Sequence, residues 1–171
     1  MKKAILLSLL FVACVFTASA QKFALIDMEY ILKNIPAYEQ ANTQLNQASQ
    51  QYQSEVEAKA KEAEALYKEY QKASGSVSAA QQTRREGAIV AKEKEAAELR
   101  KKYFGPEGEM AKKQEALIAP IQDKIYEAVK QISEQKGYAA VVDRGSAQSI
   151  IFASPSIDIS NEVLSRLGYS N

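Results

Sequence analysis

The feature that most constrains the fold is the stretch formed by residues 37–73, which contains neither glycine nor proline. It is rich in Gln, Glu, Ala and Lys, which favour the α-helix. Beyond its first turn, its large apolar residues are few and widely spaced: Leu45, Tyr52, Val56, Leu66, Tyr67 and Tyr70. So few apolar side chains cannot bury a helix in a globular core, but they can form a narrow seam against one partner helix.

A second helical stretch supplies that partner. Residues 74–78 read Ser-Gly-Ser-Val-Ser, a turn signal, and helix-forming sequence resumes over residues 79–103. Here Ile89, Ala96, Leu99 and Tyr103 recur at steps of seven, three and four, as in a coiled-coil seam. The sequence therefore predicts a helical hairpin with its tip near residues 74–80 and an outgoing arm of roughly 50 Å.

A third helix should follow the break Phe-Gly-Pro-Glu-Gly at residues 104–108. Its apolar residues fall on one face: Met110, Leu117, Ile118, Ile121, Ile125, Val129 and Ile132. Pro120 removes one intrahelical hydrogen bond, so a kink or a restart of the helix is expected there.

Strand-like sequence lies at both ends of this helical middle. Residues 23–26 form one apolar run, after which Asp27 should cap a short helix. Residues 138–143 and 149–153 read as two strands of a β-hairpin, and Asp158 or Ser160 should cap a last helix that stops at Gly168. The predicted class is mainly α with a small β body, an α+β fold. Residues 21–171 form one domain, with 21–36 and 137–171 as the body and 37–136 as the hairpin.

The amino terminus has the pattern of a secretory signal peptide. Lys2 and Lys3 precede an uncharged apolar run, and small residues end at Ala20, which predicts cleavage after Ala20 and export to the periplasm. Cys14 as a lipoprotein acylation site is the alternative. It is disfavoured because Phe11 is a poor residue three places earlier and the stretch after Cys14 is very apolar.

Composition excludes several functions for the chain that remains after cleavage. That chain has no cysteine and no histidine, so no metal site and no thiol or imidazole catalysis are expected. No glycine-rich phosphate loop occurs, so no cofactor is expected and the protein is interpreted as a non-enzyme. The leader takes two lysines, leaving 20 basic and 21 acidic residues, a balance without the basic footprint of a nucleic-acid-binding protein. Asp27 and Asp143 are read as caps of strand ends, in preference to a catalytic pair.

The order of these parts resembles the Skp/OmpH family of periplasmic outer-membrane-protein chaperones over the whole mature length. The similarity rests on Phe-Ala-Leu-Ile-Asp at 23–27, the hairpin turn at 73–76, Gly-Tyr-Ala-Ala-Val-Val-Asp at 137–143 and Ile-Asp-Ile-Ser at 157–160. The break at residues 104–108 resembles the form that this family takes in the Bacteroidetes.

The resemblance implies a homotrimer in which strands of three chains form a body and three hairpins surround a cavity. It also implies that unfolded outer-membrane proteins are held in that cavity without ATP. The best-known members are strongly basic, whereas this mature chain is nearly neutral. Charge attraction to clients should therefore be weaker than in those members, and a membrane or lipopolysaccharide contact is expected to be weak at most.

Two sets of residues are candidates for these roles. Tyrosines of the hairpin have an apolar body and a polar tip that suit client contacts: Tyr52, Tyr67, Tyr70 and Tyr103. Apolar residues of the terminal strands are too few for an isolated core, but three copies could build one: Phe23, Leu25, Val141, Val142, Ile151 and Phe152. The alternative function is a structural or adaptor protein of the cell envelope that binds one fixed partner.

Overall fold

A computed structural model describes residues 22–73, 75, 77–147 and 149–169, so the predicted signal peptide lies outside the described residues. The chain is mainly helical, with a small two-stranded sheet, as the sequence predicts. Its contacts divide it into two compact units. We call residues 35–123 the hairpin unit, and residues 22–34 together with 124–169 the terminal unit.

Two long helices make up most of the hairpin unit, α2 (Pro36–Ala73) and α3 (Ala79–Phe104), and they confirm the predicted hairpin. Proline is well placed at the first position of α2, where its missing N–H has no helical partner to lose. Ser78 and Gln81 form a reciprocal capping box that starts α3. The seam between the helices includes the buried side chains of Ala63, Ile89 and Tyr103.

The third long helix, α4, is continuous from Glu109 to Lys136 and passes through Pro120 without a break. The helix therefore does not restart at Pro120, and a kink, the alternative expected at this residue, stays a prediction. The contacts of α4 assign its residues up to Asp123 to the hairpin unit and its residues from Lys124 to the terminal unit. Its predicted apolar face is confirmed, because Ile121, Ile125 and Ile132 are buried.

A parallel pair of strands organises the terminal unit. Strand β1 (Lys22–Ile26) pairs with β2 (Tyr138–Asp143), and Ile26 lies opposite Asp143. Between them come the short helix α1 (Met28–Lys33) and the three long helices. The largest side chains that are fully buried in this unit are Ile31, Ile125, Ile132 and Val163.

The predicted β-hairpin of residues 138–143 and 149–153 is wrong. Only the first segment is a strand, and its partner is β1; residues 150–154 have no regular structure. After β2 the chain enters a turn in which the Ala147 N–H donates to the Asp143 carbonyl at 3.1 Å, which prevents a tight antiparallel return. Residues 149–153 keep a strand-like composition, but β-propensity depends on context and does not by itself add a segment to the outer edge of β2.

The last helix, α5 (Ser160–Arg166), confirms the predicted closing helix and follows a 3₁₀ turn at Pro155–Ile157. The predicted N-cap at Asp158 or Ser160 is wrong, because the N-cap residue is Ile159, which makes no side-chain cap bond. Asp158 Oδ1 accepts from the Ser160 N–H at 2.8 Å, while the Ser160 hydroxyl accepts from the Asp27 N–H at 2.8 Å. Gly168 ends the helix with φ of +85°, a conformation that favours glycine. None of the described helices is long and apolar enough to span a membrane.

Candidate functional site

An aromatic cluster lies at the end of the hairpin remote from the tip. Tyr52 and Tyr103 stack with ring centroids 4.0 Å apart, and Phe104 meets Tyr52 edge-on at 6.4 Å. The Tyr103 hydroxyl donates to Glu55, which lowers the pKa of that carboxylate and raises the pKa of the phenol. Only 8% of Tyr103 is exposed, so in the closed hairpin its ring belongs to the contact between the two helices.

An ion pair connects the two helices halfway along the hairpin. Lys92 contacts Glu62 of the other helix at 3.2 Å and Glu95 of its own helix at 2.8 Å. Lys59 completes a group of four charges by pairing with Glu62 at 2.9 Å. Hydrogen bonds from Lys59 and then Lys92 lower the pKa of Glu62. Each exposed pair contributes little stability, and within this group only the pair of Lys92 with Glu62 connects α2 to α3.

The remaining two tyrosines lie near the tip. The Tyr70 hydroxyl donates to Glu86 across the hairpin at 2.6 Å, which raises the pKa of the phenol. Tyr67 is 49% exposed. The four candidate tyrosines thus form two separate pairs: Tyr52 and Tyr103 at one end, Tyr67 and Tyr70 at the other.

A groove on one side of the hairpin was not predicted. It encloses about 440 Å³ and is lined by Gln53, Val56, Glu57, Arg100 and Phe104. Sequence reasoning missed it because Phe104 was assigned to the break after the helix, whereas α3 includes this residue. A heptad assignment of the two helices could have indicated the groove, because it places Gln53 and Arg100 beside the seam.

The apolar residues of the terminal unit differ in exposure. Ile151 is 100% exposed and Phe152 85% exposed, and Phe23 and Val142 are also exposed. Leu25, by contrast, is buried within one chain, where its carbonyl accepts from the Ile159 N–H at 2.9 Å. Val141 is half-buried. One copy of the unit therefore combines a small core of its own with a separate set of exposed apolar side chains.

The strand-end carboxylates have structural partners. Asp27 Oδ1 accepts from the Tyr30 N–H at 2.8 Å, which confirms the predicted cap, and Oδ2 accepts from Arg144 at 2.9 Å. These two bonds lower the pKa of Asp27. Asp143 Oδ1 accepts from the N–H groups of Met28 and Gly145, at 3.1 and 3.2 Å. Within the described ranges, no group of three or more side chains could hold a metal ion.

These parts define a class of protein: a chain whose two ends meet in a small parallel sheet and whose middle is a long helical hairpin followed by a third long helix. The family model described as outer membrane protein (OmpH-like) matches residues 22–167. The chain therefore belongs to the OmpH-like family, which confirms the resemblance seen in the sequence.

A solved structure shares the fold. It is a Caulobacter crescentus CB15 protein described as an OmpH-like outer membrane chaperone, and the two chains match with a TM-score of 0.66. The match covers 87% of this chain and 85% of the other, at 11% sequence identity. At that identity the likeness shows the fold alone. No curated protein sequence matches the chain significantly.

Proposed function

We propose that this chain is an ATP-independent holdase chaperone of the periplasm, which binds unfolded outer-membrane proteins and prevents their aggregation. The observation that carries the proposal is membership of the OmpH-like family over residues 22–167. The Caulobacter crescentus protein with the same fold, described as an outer membrane chaperone, supports it. No catalytic step is required, because holding a client needs only contacts.

The hairpin unit has the chemistry that weak, exchangeable holding requires. Its two helices are charged over most of their surface, and exposed aromatic or aliphatic side chains interrupt that surface at Tyr67, Val90 and Phe104. Isolated apolar contacts of this kind bind an unfolded chain without selecting one conformation of it. Among the four candidate tyrosines, Tyr67 is the most accessible, Tyr52 and Tyr70 are partly so, and Tyr103 becomes available only if the helices separate.

Assembly into a homotrimer through the terminal unit is part of the proposal. Exposed apolar side chains that lie close together mark protein–protein contacts, and Ile151 and Phe152 are adjacent and almost fully exposed. Phe23, Val141 and Val142 extend the proposed contact onto the two strands. Leu25 supports it from inside the core of each copy.

Export to the periplasm, with cleavage after Ala20, completes the proposal. Its support is the sequence alone: Lys2 and Lys3, the apolar run and the small residues before Gln21. Sequencing of the amino terminus of the protein isolated from cells would test the cleavage position. Gln21 as the first residue is the expected result.

The breadth of client protection tests the holdase function. Several unrelated β-barrel outer-membrane proteins are diluted from urea in the presence of the mature protein, and aggregation is followed by light scattering. We expect every client to be protected at similar protein concentrations, with no effect of added ATP. Protection of a single client would instead favour the adaptor function, and protection of none would refute the proposal.

A further inference from the structure

The two sides of the hairpin differ in chemistry, and heptad positions describe the difference. In α2 the a and d positions of the seam are occupied by Tyr52, Val56, Lys59 and Ala63. The flanking e positions are then Gln53, Ala60 and Tyr67, and the flanking g positions are Glu55 and Glu62. In α3 the corresponding e positions include Glu93 and Arg100, and the g positions include Ala88, Glu95 and Lys102. Since the helices are antiparallel, the e positions of both lie on one side of the seam and the g positions on the other.

Paired charges dominate the g side. Glu62 and Glu95 share Lys92, Glu55 accepts from Tyr103, and the Lys102 ammonium lies 5.2 Å from the centroid of the Tyr103 ring. Charges that are already paired at the surface gain little from a further partner. This side therefore suits contact with water.

Exposed apolar side chains lie along the e side and on the adjacent outer surface of α3. Phe104 is 42% exposed, Val90 60% and Tyr67 49%. In α3, Val90 and Phe104 are two heptads apart, with the exposed Ala97 between them. In α2, Gln53 and Tyr67 are two heptads apart, with the exposed Ala60 between them. We call this surface the e face; it is defined by Gln53, Ala60, Tyr67, Val90, Ala97, Arg100 and Phe104. Two heptads of helix span about 21 Å.

The groove at one end of the e face shows what kind of ligand fits. Val56 and Phe104 form its apolar part, with Glu57 and Arg100 beside them. The guanidinium of Arg100 has no hydrogen-bond or ion-pair partner in the part of the chain that the structure describes, and Glu57 accepts only from Gln53, at 3.2 Å. A peptide backbone has carbonyl groups for Arg100 and N–H groups for Glu57, and its apolar side chains would fill the space between them.

We propose that the e face is the surface of the hairpin that binds clients, and that the groove at Phe104 takes an extended, unfolded polypeptide segment with large apolar side chains. This inference rests on the proposed holdase function and assigns its contact surface. Tyr52, which stacks on Tyr103, contacts the Phe104 ring edge-on, and this contact restricts Phe104 and so reduces the entropy cost of binding. The balanced charges of Glu57 and Arg100 select for neither acidic nor basic clients.

Site-specific photocrosslinking tests the side of the hairpin that clients contact. Ala60 on the e face and Ala88 on the g side are both exposed alanines, so a photoreactive amino acid at either position makes a matched pair. The mature protein is mixed with a urea-diluted, fluorescently labelled eight-stranded barrel protein and irradiated. We expect a crosslink yield to this client about tenfold higher from position 60. Equal yields, or a higher yield from position 88, would overturn the inference.

Affinity for the same client tests the groove. The double variant Arg100→Gln with Phe104→Ser should weaken binding about tenfold, because buried aromatic and arginine contacts dominate such interfaces. The control, Arg84→Gln with Tyr126→Ser, removes one exposed charge from the c position of α3, next to the g side, and one exposed ring from the terminal unit, and should change binding by less than about twofold. Equal effects of the two double variants would overturn the inference. Circular dichroism of both variants shows whether the helices persist.

Other occupants of the e face have distinct signatures. A crosslink from position 60 to a second copy, undiminished by client, would make the e face an assembly contact and overturn the inference. Anionic lipid vesicles are a second alternative occupant. If the wild type binds them, and the double variant Arg100→Gln with Phe104→Ser loses this binding but keeps its affinity for the client, the inference is overturned. If the wild type protects clients but positions 60 and 88 crosslink equally, only this inference fails; if it protects none, the proposed function fails as well.

Discussion

At the residue scale, Asp27 connects three parts of the terminal unit. One carboxylate oxygen caps α1 through the Tyr30 N–H, the other pairs with Arg144, and the Asp27 N–H donates to Ser160 at the start of α5. Arg144 also contacts Asp158 at 3.5 Å. The ends of β1 and β2 and the beginning of α5 are therefore held together by one small polar network.

Two substitutions at Asp27 separate the cap from the ion pair. Asp27→Asn keeps an oxygen that can cap α1 but loses the charge that pairs with Arg144, whereas Asp27→Ala loses both. We expect Asp27→Ala to lower the free energy of unfolding by about 1 kcal/mol more than Asp27→Asn, the usual effect of a lost cap. Urea denaturation followed by circular dichroism measures the difference. Equal free energies for the two variants would contradict the role of the cap.

The lowered pKa of Asp27 predicts how stability depends on pH. The ordinary pKa of an aspartate is about 3.9, and in the folded chain the Tyr30 N–H and Arg144 hold the pKa of Asp27 below its ordinary value. The carboxylate therefore stabilises the fold above about pH 4, and this contribution is lost as the pH falls through the lower, folded pKa. Unfolding free energies from pH 7 to 2.5 should converge for wild type and Asp27→Asn at the acid end. A constant difference over the whole range would contradict this account.

At the element scale, the turn between α3 and α4 depends on close backbone contacts. A Cβ atom at Gly108 would lie 2.8 Å from the carbonyl oxygens of Lys102 and Tyr103, which is too close. Glycine at this position allows the chain to leave α3 and start α4 within four residues. By contrast, a Cβ at Gly87, inside α3, would meet nothing within 4 Å.

Alanine substitution at these two glycines should have opposite effects. Gly108→Ala should lower the free energy of unfolding by about 1–3 kcal/mol, because backbone atoms at the turn must shift. Gly87→Ala should raise it by about 0.5–1 kcal/mol, the gain expected for alanine over glycine inside a helix. Urea denaturation of the two variants provides the comparison. A stabilising effect of Gly108→Ala would contradict the close approach of backbone atoms at this turn.

Elements with a strong local signal could be predicted from the sequence, and those that depend on distant partners could not. The long helices, the cap at Asp27 and the stop at Gly168 follow from local chemistry and are confirmed. Residues 149–153 have strand composition but pair with neither of the two described strands, so their composition gave a wrong prediction. The groove at Phe104 was missed because it requires the register of two helices that are far apart in sequence.

At the scale of the whole molecule, the charge balance sets the expected driving force for client binding. Residues 41–120 contain 13 basic and 12 acidic residues, so the hairpin has almost no net charge. Long-range attraction of an acidic client should then be small, and we expect apolar contacts, which moderate salt leaves intact, to provide most of the binding free energy.

Client affinity should therefore depend little on salt. Between low salt and about 0.5 M, a range over which exposed charges become strongly screened, we expect a change of about twofold or less. Fluorescence titration of a labelled barrel protein measures it, and Tyr67→Ser with Tyr70→Ser should weaken binding at every salt concentration. A fall of about tenfold or more with salt would show that ionic contacts dominate.

Assembly should depend on the exposed segment of the terminal unit. Ile151→Asp with Phe152→Asp places two charges on side chains that are exposed in one chain, so each copy should keep its helices but lose its proposed partners. Sedimentation velocity should show monomers for this double variant, with a circular dichroism spectrum close to that of the wild type. Unchanged oligomers would place the assembly contact elsewhere.

The most direct test of the holdase account is the mass of the mature protein in solution, with and without a client. Size-exclusion chromatography with multi-angle light scattering gives this mass before and after addition of a urea-diluted barrel protein. Without client, the account predicts the mass of three copies of the chain. After the client is added, it predicts the mass of a soluble complex of three copies with one client. A monomer at micromolar concentration, or a client that aggregates while the mass of the protein stays unchanged, would contradict it.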